Sequence, residues 1–517
     1  MRCSEDHRPP PDYQGSGPFW CLNIFLIICA LTARAEVPTL DYLFPAGGQR
    51  GTSVTVSGGG KLDPWPAKVW ADAPGIEFKA GTNKNTFIVQ IAKDVPPGVH
   101  LVRAYNAEGA SAPRWFVVGE QKEQLEQEPN DNFRQAQLIE SLPVTLNGQL
   151  EKGGDVDTFA VKLTTGQWLV AGVTAYGIGS PLDPMLHLLD EHGVRIAYAT
   201  GTQNADPRLT YRVEKSGTYL LQLVAFAHPP QAAVQFTGGK AAVYRLAISA
   251  GAPDGDPQGS KAEVLEIEPN NTTGQAQAVT VPVVVKGRID PAGDEDRFLF
   301  TAKQGEQFDF QVHSAKLGFP LDAVLCVEDK AGRQIARDDD SGGSLDPQLA
   351  WTAPADGAYV VAVSDLTQKG GSDFVYRLEM KPLRPDYKVV IDNHAYRLEA
   401  GKTNEIKLTV TRLHGHKASL GVTFTGLPEG LTAKAMEIPA AGGEVKVTLT
   451  AAAEAKAAGQ PFRVLVNADD PSQPVSHAAV FELRPKDPAG DLLITHTDSI
   501  WLTVIPKPPM PAPPAAK

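Results

Sequence analysis

The chain has 517 residues, with 48 Lys+Arg against 60 Asp+Glu and a net charge of −12. That length exceeds one hydrophobic core and calls for roughly three to five domains of about 100–200 residues. The acidic balance excludes the basic footprint of a non-specific nucleic-acid binder and leaves room for hard cations, while 48 Gly and 42 Pro punctuate a chain of many turns.

The first feature is an apolar run over residues 19–31, followed by Ala33-Arg34-Ala35. Its length and small-x-small end read as a secretory signal over residues 1–35, with an uncleaved membrane anchor as the alternative. The n-region is atypical, because Arg2 and Arg8 lie far upstream of the apolar run. Ile28 before Cys29 argues against lipidation. Removing residues 1–35 takes Cys3, Cys21 and Cys29 with it and leaves Cys326. One cysteine cannot close an intramolecular disulfide, so the domains must be held by their cores or by bound ions. The expected location is secreted, periplasmic or cell-surface.

Beyond the signal, short alternating runs dominate, such as Thr52-Ser-Val-Thr-Val-Ser57, Tyr219-Leu-Leu-Gln-Leu-Val224 and Val445-Lys-Val-Thr-Leu-Thr450. Period-2 patterning bounded by Gly, Pro, Asn and Asp predicts an all-β chain, a string of four β-sandwich domains. The Ala-rich residues 451–458 are the one helical candidate, too short for more than a loop helix.

An internal repeat organises the middle. Residues 123–137, with Glu126-Gln-Glu128-Pro-Asn130-Asp131, match residues 263–277, with Glu266-Ile-Glu268-Pro-Asn270-Asn271. Gly154-Asp155-Val-Asp157 before Phe159 matches Gly293-Asp294-Glu-Asp296 before Phe298, and Asp206-Pro matches Asp346-Pro. Gly217-Thr-Tyr219 matches Gly357-Ala-Tyr359, and Tyr244-Arg-Leu246 matches Tyr376-Arg-Leu378. The offset is 139–140 residues and then shortens, which places an insertion in the first copy around residues 227–240.

Glu-Pro-Asn, then Gly-Asp-x-Asp-x-Phe, Asp-Pro-x-Leu and Gly-x-Tyr in that order resemble the bacterial pre-peptidase C-terminal domain. That family implies a jelly-roll-like sandwich appended to secreted proteases and other exported proteins, non-catalytic, sometimes calcium-binding and sometimes adhesive. The opening region, with Gly48-Gln-Arg-Gly51-Thr-Ser-Val-Thr-Val-Ser-Gly58, resembles immunoglobulin-like domains shared by plexins and transcription factors. The closing region, with Gly426-Leu-Pro-Glu-Gly430, is similar to the immunoglobulin-like sandwiches that trail bacterial glycosidases and peptidases. The array as a whole resembles large exported proteins of planctomycete-type bacteria. The expected partition is a signal at 1–35, an immunoglobulin-like sandwich at 36–119, the first repeat at 120–250 and a linker at 251–263. The second repeat follows at 264–382, then an immunoglobulin-like sandwich at 383–506 and a Pro-rich tail at 507–517.

No His-Glu-x-x-His, Gly-x-Ser-x-Gly elbow, phosphate loop or dinucleotide fingerprint occurs in the sequence. Cys326 sits in the apolar Val324-Leu-Cys-Val327, as a small hydrophobe would. His414-Gly-His416 reads as an exposed turn, Asp338-Asp-Asp340 as a solvated hairpin loop, and Trp65 as the best exposed aromatic. The acidic repeats carry more chemistry. Glu126, Glu128, Asn130 and Asp131 offer hard oxygens on an extended segment, and Asp155 and Asp157 add carboxylates at i and i+2. Calcium takes six to eight such oxygens. The second copy repeats the set as Glu266, Glu268, Asn270, Asn271, Asp294 and Asp296. With Asn271 in place of Asp131 it carries one charge fewer and should bind more weakly; the alternative is that both sets only cap turns and bond backbone amides. The expected role is exported, non-catalytic binding or scaffolding at the cell envelope. Its partner would be an extracellular or envelope protein or a polysaccharide, with no nucleic acid. The alternative is an accessory subunit of a secreted peptidase system.

Overall fold

The computed structural model describes residues 36–201, 204–232, 234–251, 263–317, 319–341, 344–435, 437–469, 475–483 and 489–507. The expected signal, most of the linker and the end of the tail lie outside them. The fold is all-β: every described helical segment is a single 3-10 turn. Among the described residues no helix is long and apolar enough to cross a membrane.

Two five-stranded sheets form each repeat, with the same strand order in both copies. In the first copy one sheet runs Lys122–Leu125, Val144–Gln149, Val243–Ala250, Trp168–Thr174, Arg208–Arg212. The other runs Gln137–Ile139, Asp157–Leu163, Gly217–Ala227, Leu182–Leu189, Arg195–Thr200. The short opening strands, Lys122–Leu125 and Gln137–Ile139, pair in parallel with their neighbours while the remaining pairs are antiparallel. In the second copy Val264–Leu265 and Gln277–Ala278 take those parallel places. Alternation builds the cores. Along Asp157–Leu163, Phe159, Val161 and Leu163 fall on the inner face and are buried among Leu146, Leu221 and Leu246. Along Glu295–Ala302 the inner positions are Phe298, Phe300 and Ala302. The insertion in the first copy lies between Gly217–Ala227 and Val243–Ala250; in the second, Gly357–Asp365 reaches Val375–Pro382 over a shorter loop.

Residues before the repeats form a sandwich of Tyr42–Phe44, Ser53–Gly59, Thr86–Ile91 and Ile76–Ala80 against Gly47–Gln49, Arg114–Gly119, Gly98–Asn106 and Lys68–Ala71. Residues after them pair Asp386–Ile391, Thr403–Leu413, Gly443–Ala451 and Leu431–Ala435 with a sheet of Ala395–Glu399, Ile500–Ile505, Ala458–Ala468 and Leu420–Thr425. Residues 451–458 form no helix. They are a strand end, a turn and the next strand start, because the flanking sheet positions hold the chain extended and Ala451 and Ala455 fill the core. Trp65 is not a free platform: its ring lies 5.3 Å from Phe87. His416 is buried rather than exposed, 5.0 Å from the Tyr387 ring and 2.7 Å from Arg412 Nη1.

A string of sandwiches would place each against its sequence neighbours alone. Here the last one returns to the first. Trp115 of the first sandwich, Tyr176 and Ile178 of the first repeat and Leu492 of the last sandwich share one apolar cluster. The Trp115 indole N–H donates to Ile494 O at 3.1 Å, and the Tyr176 hydroxyl to Gly490 O at 2.8 Å. These are large apolar surfaces with satisfied polar handles, the combination that makes an interface hold.

Candidate metal centre

Strand phase explains why carboxylates are buried at all. Asp157 lies two residues before Phe159 on the core-facing phase, so the alternation that buries Phe159 also buries Asp157 completely. Asp296 holds the same relation to Phe298. The turns leading into these strands need Gly154 and Gly293, whose φ values of 84° and 82° lie in the left-handed region.

Opposite Asp157 stands the opening segment. A glutamine holds it in place: Gln137 Oε1 accepts from Gln127 N at 2.8 Å and its Nε2 donates to Leu125 O at 3.2 Å. Gln277 makes the same two bonds to Ile267 N and Leu265 O, which accounts for the repeated Gln-Ala-Gln. Glu126 Oε2 accepts from Gln149 N at 3.0 Å and from the Tyr244 hydroxyl at 2.7 Å. The same hydroxyl lies 2.6 Å from Asp157 Oδ2. One hydroxyl has one proton, so it cannot donate to two carboxylates at once. Without a cation, one of the two acids must keep its proton. Burial, followed by the neighbouring carboxylate Glu126, pushes Asp157 up to about 9, and burial pushes Glu126 up to about 7.

Other polar groups of the site are left without partners. Asp157 Oδ1 has no hydrogen-bond partner, and neither side-chain polar atom of the fully buried Asn130 has one. Buried polar atoms without partners are rare and costly. Thr158 N donates to Asn130 O at 3.2 Å, which sets Asn130 beside the start of the Asp157 strand. Glu128 Oε2 accepts from Asn130 N at 2.8 Å. One oxygen each from Glu126, Glu128 and Asp157 lie within 4.8 Å of one another, and so do oxygens from Glu128, Asp131 and Asp155. Glu128 therefore joins two overlapping groups and also lines an open groove of about 760 Å³. Asp155 is fully buried; its Oδ2 accepts from Glu151 N, and Lys152 Nζ stands 3.7 Å from its Oδ1. Asp131, the more exposed, lies 3.5 Å from Lys152 Nζ, and its hydrogen bond with Asp155 lowers its pKa.

The second copy is similar and simpler. The Tyr376 hydroxyl lies 2.7 Å from Asp296 Oδ2 but 3.4 Å from Glu266 Oε2, which accepts from Arg288 N at 2.8 Å. Asn270 is fully buried with both side-chain polar atoms unpartnered, as is Asp296 Oδ1. Its carboxylate group is Glu268, Asp294 and Asp296, without Glu266. Asn271, where the first copy has Asp131, donates from its Nδ2 to Asp294 Oδ1 at 2.7 Å. Burial, then Glu266, raises Asp296 to about 9.

Sequence reasoning missed four residues. Tyr244 and Tyr376 recur in the matched Tyr-Arg-Leu triplets, yet nothing in their spacing ties them to the acids. Gly148 and Gly287 are the others: a Cβ on Gly148 would lie 2.1 Å from Glu126 Oε2 and from Tyr244 Oη, and one on Gly287 would lie 2.3 Å from Tyr376 Oη. Only glycine lets tyrosine and glutamate meet there. Of the other acidic residues, Asp206 and Asp346 serve structure. Each accepts three backbone N–H bonds, from Ala175, Tyr176 and Gly177 and from Ser314, Ala315 and Lys316.

No protein-family model matches the chain. A probable subtilase-type serine protease of Deinococcus radiodurans is 30% identical over 138 residues, which is 26% of this chain. The match spans 18% of that protease's length. Among solved structures, surface-layer protein SbsC (domains 1–6) overlaps 92% of this chain and 55% of its own at 10% identity and a TM-score of 0.15. The four N-terminal Ig domains of a Dscam1 isoform overlap 86% of this chain and 97% of their own at 9% identity and a TM-score of 0.17. At those scores neither overlap assigns a fold or a role.

Proposed function

We propose that this chain is an exported, non-catalytic binding or scaffolding protein whose two central sandwiches, resembling pre-peptidase C-terminal domains, bind calcium at their opening segments. The observation that carries the reading is the set Glu126, Glu128, Asn130 and Asp157 around Tyr244, in which Asp157 Oδ1 and Asn130 Oδ1 are buried without a hydrogen-bond partner. Calcium fits because every donor is a carboxylate, amide or hydroxyl oxygen. The ion's part is structural. Bound to Glu126, Glu128 and Asn130 on one side and Asp157 on the other, it ties the opening segment to the sandwich and lets buried Asp157 and half-buried Glu126 both ionise.

Calcium at about 100 times its dissociation constant would add about 2.7 kcal/mol to the native state. The test is thermal melting of the full chain in millimolar calcium and in chelator. The reading expects a rise of several degrees in calcium that Asp157→Ala reduces to the contribution of the second repeat; coincident curves for the native chain would refute it. A second reading, an accessory part of a secreted peptidase system, is favoured by the stretch shared with the subtilase-type protease. Co-purification of such a protease with this chain would support it.

A further inference from the structure

We infer that His394 is an acid-sensitive latch between the first and last sandwiches: neutral, it accepts a hydrogen bond from the buried Arg103 guanidinium, and protonated, it opposes that guanidinium and frees the docked face. Arg103 belongs to Gly98–Asn106 of the first sandwich and is 1% exposed. Its Nη1 lies 2.9 Å from His394 Nδ1 and 3.3 Å from Ser111 O, and its Nη2 donates to Ser499 O at 3.0 Å. These partners are neutral, so among the described residues a buried cation spans the interface without a carboxylate in contact. That is an expensive arrangement unless each donor is met. Since guanidinium nitrogens only donate, His394 Nδ1 must be the acceptor and the ring must be neutral. A proton on Nδ1 would remove the acceptor and set two positive groups 2.9 Å apart.

Among the described residues the carboxylates near His394 are engaged elsewhere, and only its own backbone hydrogen bond favours the added proton. On the elements packed about it, Glu108 is engaged by Arg397 at 2.6 Å, Asp498 by Arg463 at 2.9 Å and Glu482 by Lys388 at 3.1 Å. Asp392 is held by the Tyr396 hydroxyl, and His496 Nδ1 faces Thr495 Oγ1 at 3.1 Å. Phe481 covers the imidazole edge-on at 5.3 Å, and Trp501, 4.8 Å from Tyr105 across the same seam, closes the interface. Burial first, and Arg103 second, push His394 down to about 4 from 6.5. The docked state thus binds fewer protons than the undocked one. Docking is at full strength above about 6.5, weakens about tenfold per pH unit below it, and levels off below about 4, some 300-fold in all.

The test is small-angle scattering of the full chain between pH 7 and pH 4, with far-UV circular dichroism to confirm that the sandwiches stay folded. The native chain should show a rising radius of gyration as pH falls through this window. His394→Gln, which keeps an acceptor but cannot take a proton, should stay compact. Opening of His394→Gln at the same pH as the native chain, or no opening of the native chain, would overturn the latch. Should that variant fail to fold, histidine-labelled NMR of the native chain decides: His394 titrating near 4 supports the latch, and titration near 6.5 refutes it.

Discussion

The two repeats hold the same fold and nearly the same acids, yet their sites differ: Asp131 and Lys152 of the first copy stand where the second has Asn271 and Pro291. In the first copy Asp131 joins Glu128 and Asp155 in a second carboxylate group, so that Glu128 serves two groups. In the second copy Asn271 turns its amide onto Asp294 and ties that carboxylate up. Glu266 also stands farther from its tyrosine than Glu126 does, 3.4 Å against 2.7 Å. One side chain that donates where its counterpart accepts removes both a ligand and part of a neighbour's charge. Affinity for a hard cation follows that count, so the first copy should be the tighter site.

The largest effect should come from breaking the inner cradle of the first copy. Gly148→Ala pushes a methyl group onto Glu126 and Tyr244, and it should cost about 1–3 kcal/mol as well as abolish the calcium response of that sandwich. Urea melts with and without calcium would show it, and Gly287→Ala should do the same for the second copy alone. Next, Tyr244→Phe strips the hydroxyl between buried Asp157 and half-buried Glu126 and should cost about 1–3 kcal/mol in calcium-free protein. The loss should be smaller with calcium, where the ion meets both carboxylates; equal losses in the two conditions would count against an ion there. The smallest effect sharpens the comparison most. Asp131→Asn should weaken calcium binding to the first copy about tenfold, near 1.4 kcal/mol, and Asn271→Asp should tighten the second by a similar factor. Calcium titrations of the two variants check this, and a pair of unchanged affinities would remove the explanation offered for the difference.

Much of this was legible in the residues. Alternation gave the all-β class, and Gly-Asp-x-Asp-x-Phe places Asp157 in phase with Phe159, which is why its carboxylate is buried. The acids of the site could be read because they are contiguous or repeated. Tyr244 and Gly148 could not, since their contact with Glu126 is made across sheet neighbours rather than along the chain. The docking of the last sandwich was illegible for the same reason. Trp115, Tyr176 and Leu492 meet through shape, and no periodicity encodes a contact between residues so far apart in sequence. Trp65 and His416 looked exposed because local turn residues surround them, while Phe87 and Tyr387, which cover them, lie elsewhere in the chain.

Isothermal titration of calcium into the chelator-stripped full chain tests the central claim most directly. Saturable binding that Asp157→Asn removes from the first repeat, leaving the weaker site of the second, is the predicted result. An absence of binding at millimolar calcium, or heats unchanged by Asp157→Asn, would contradict it.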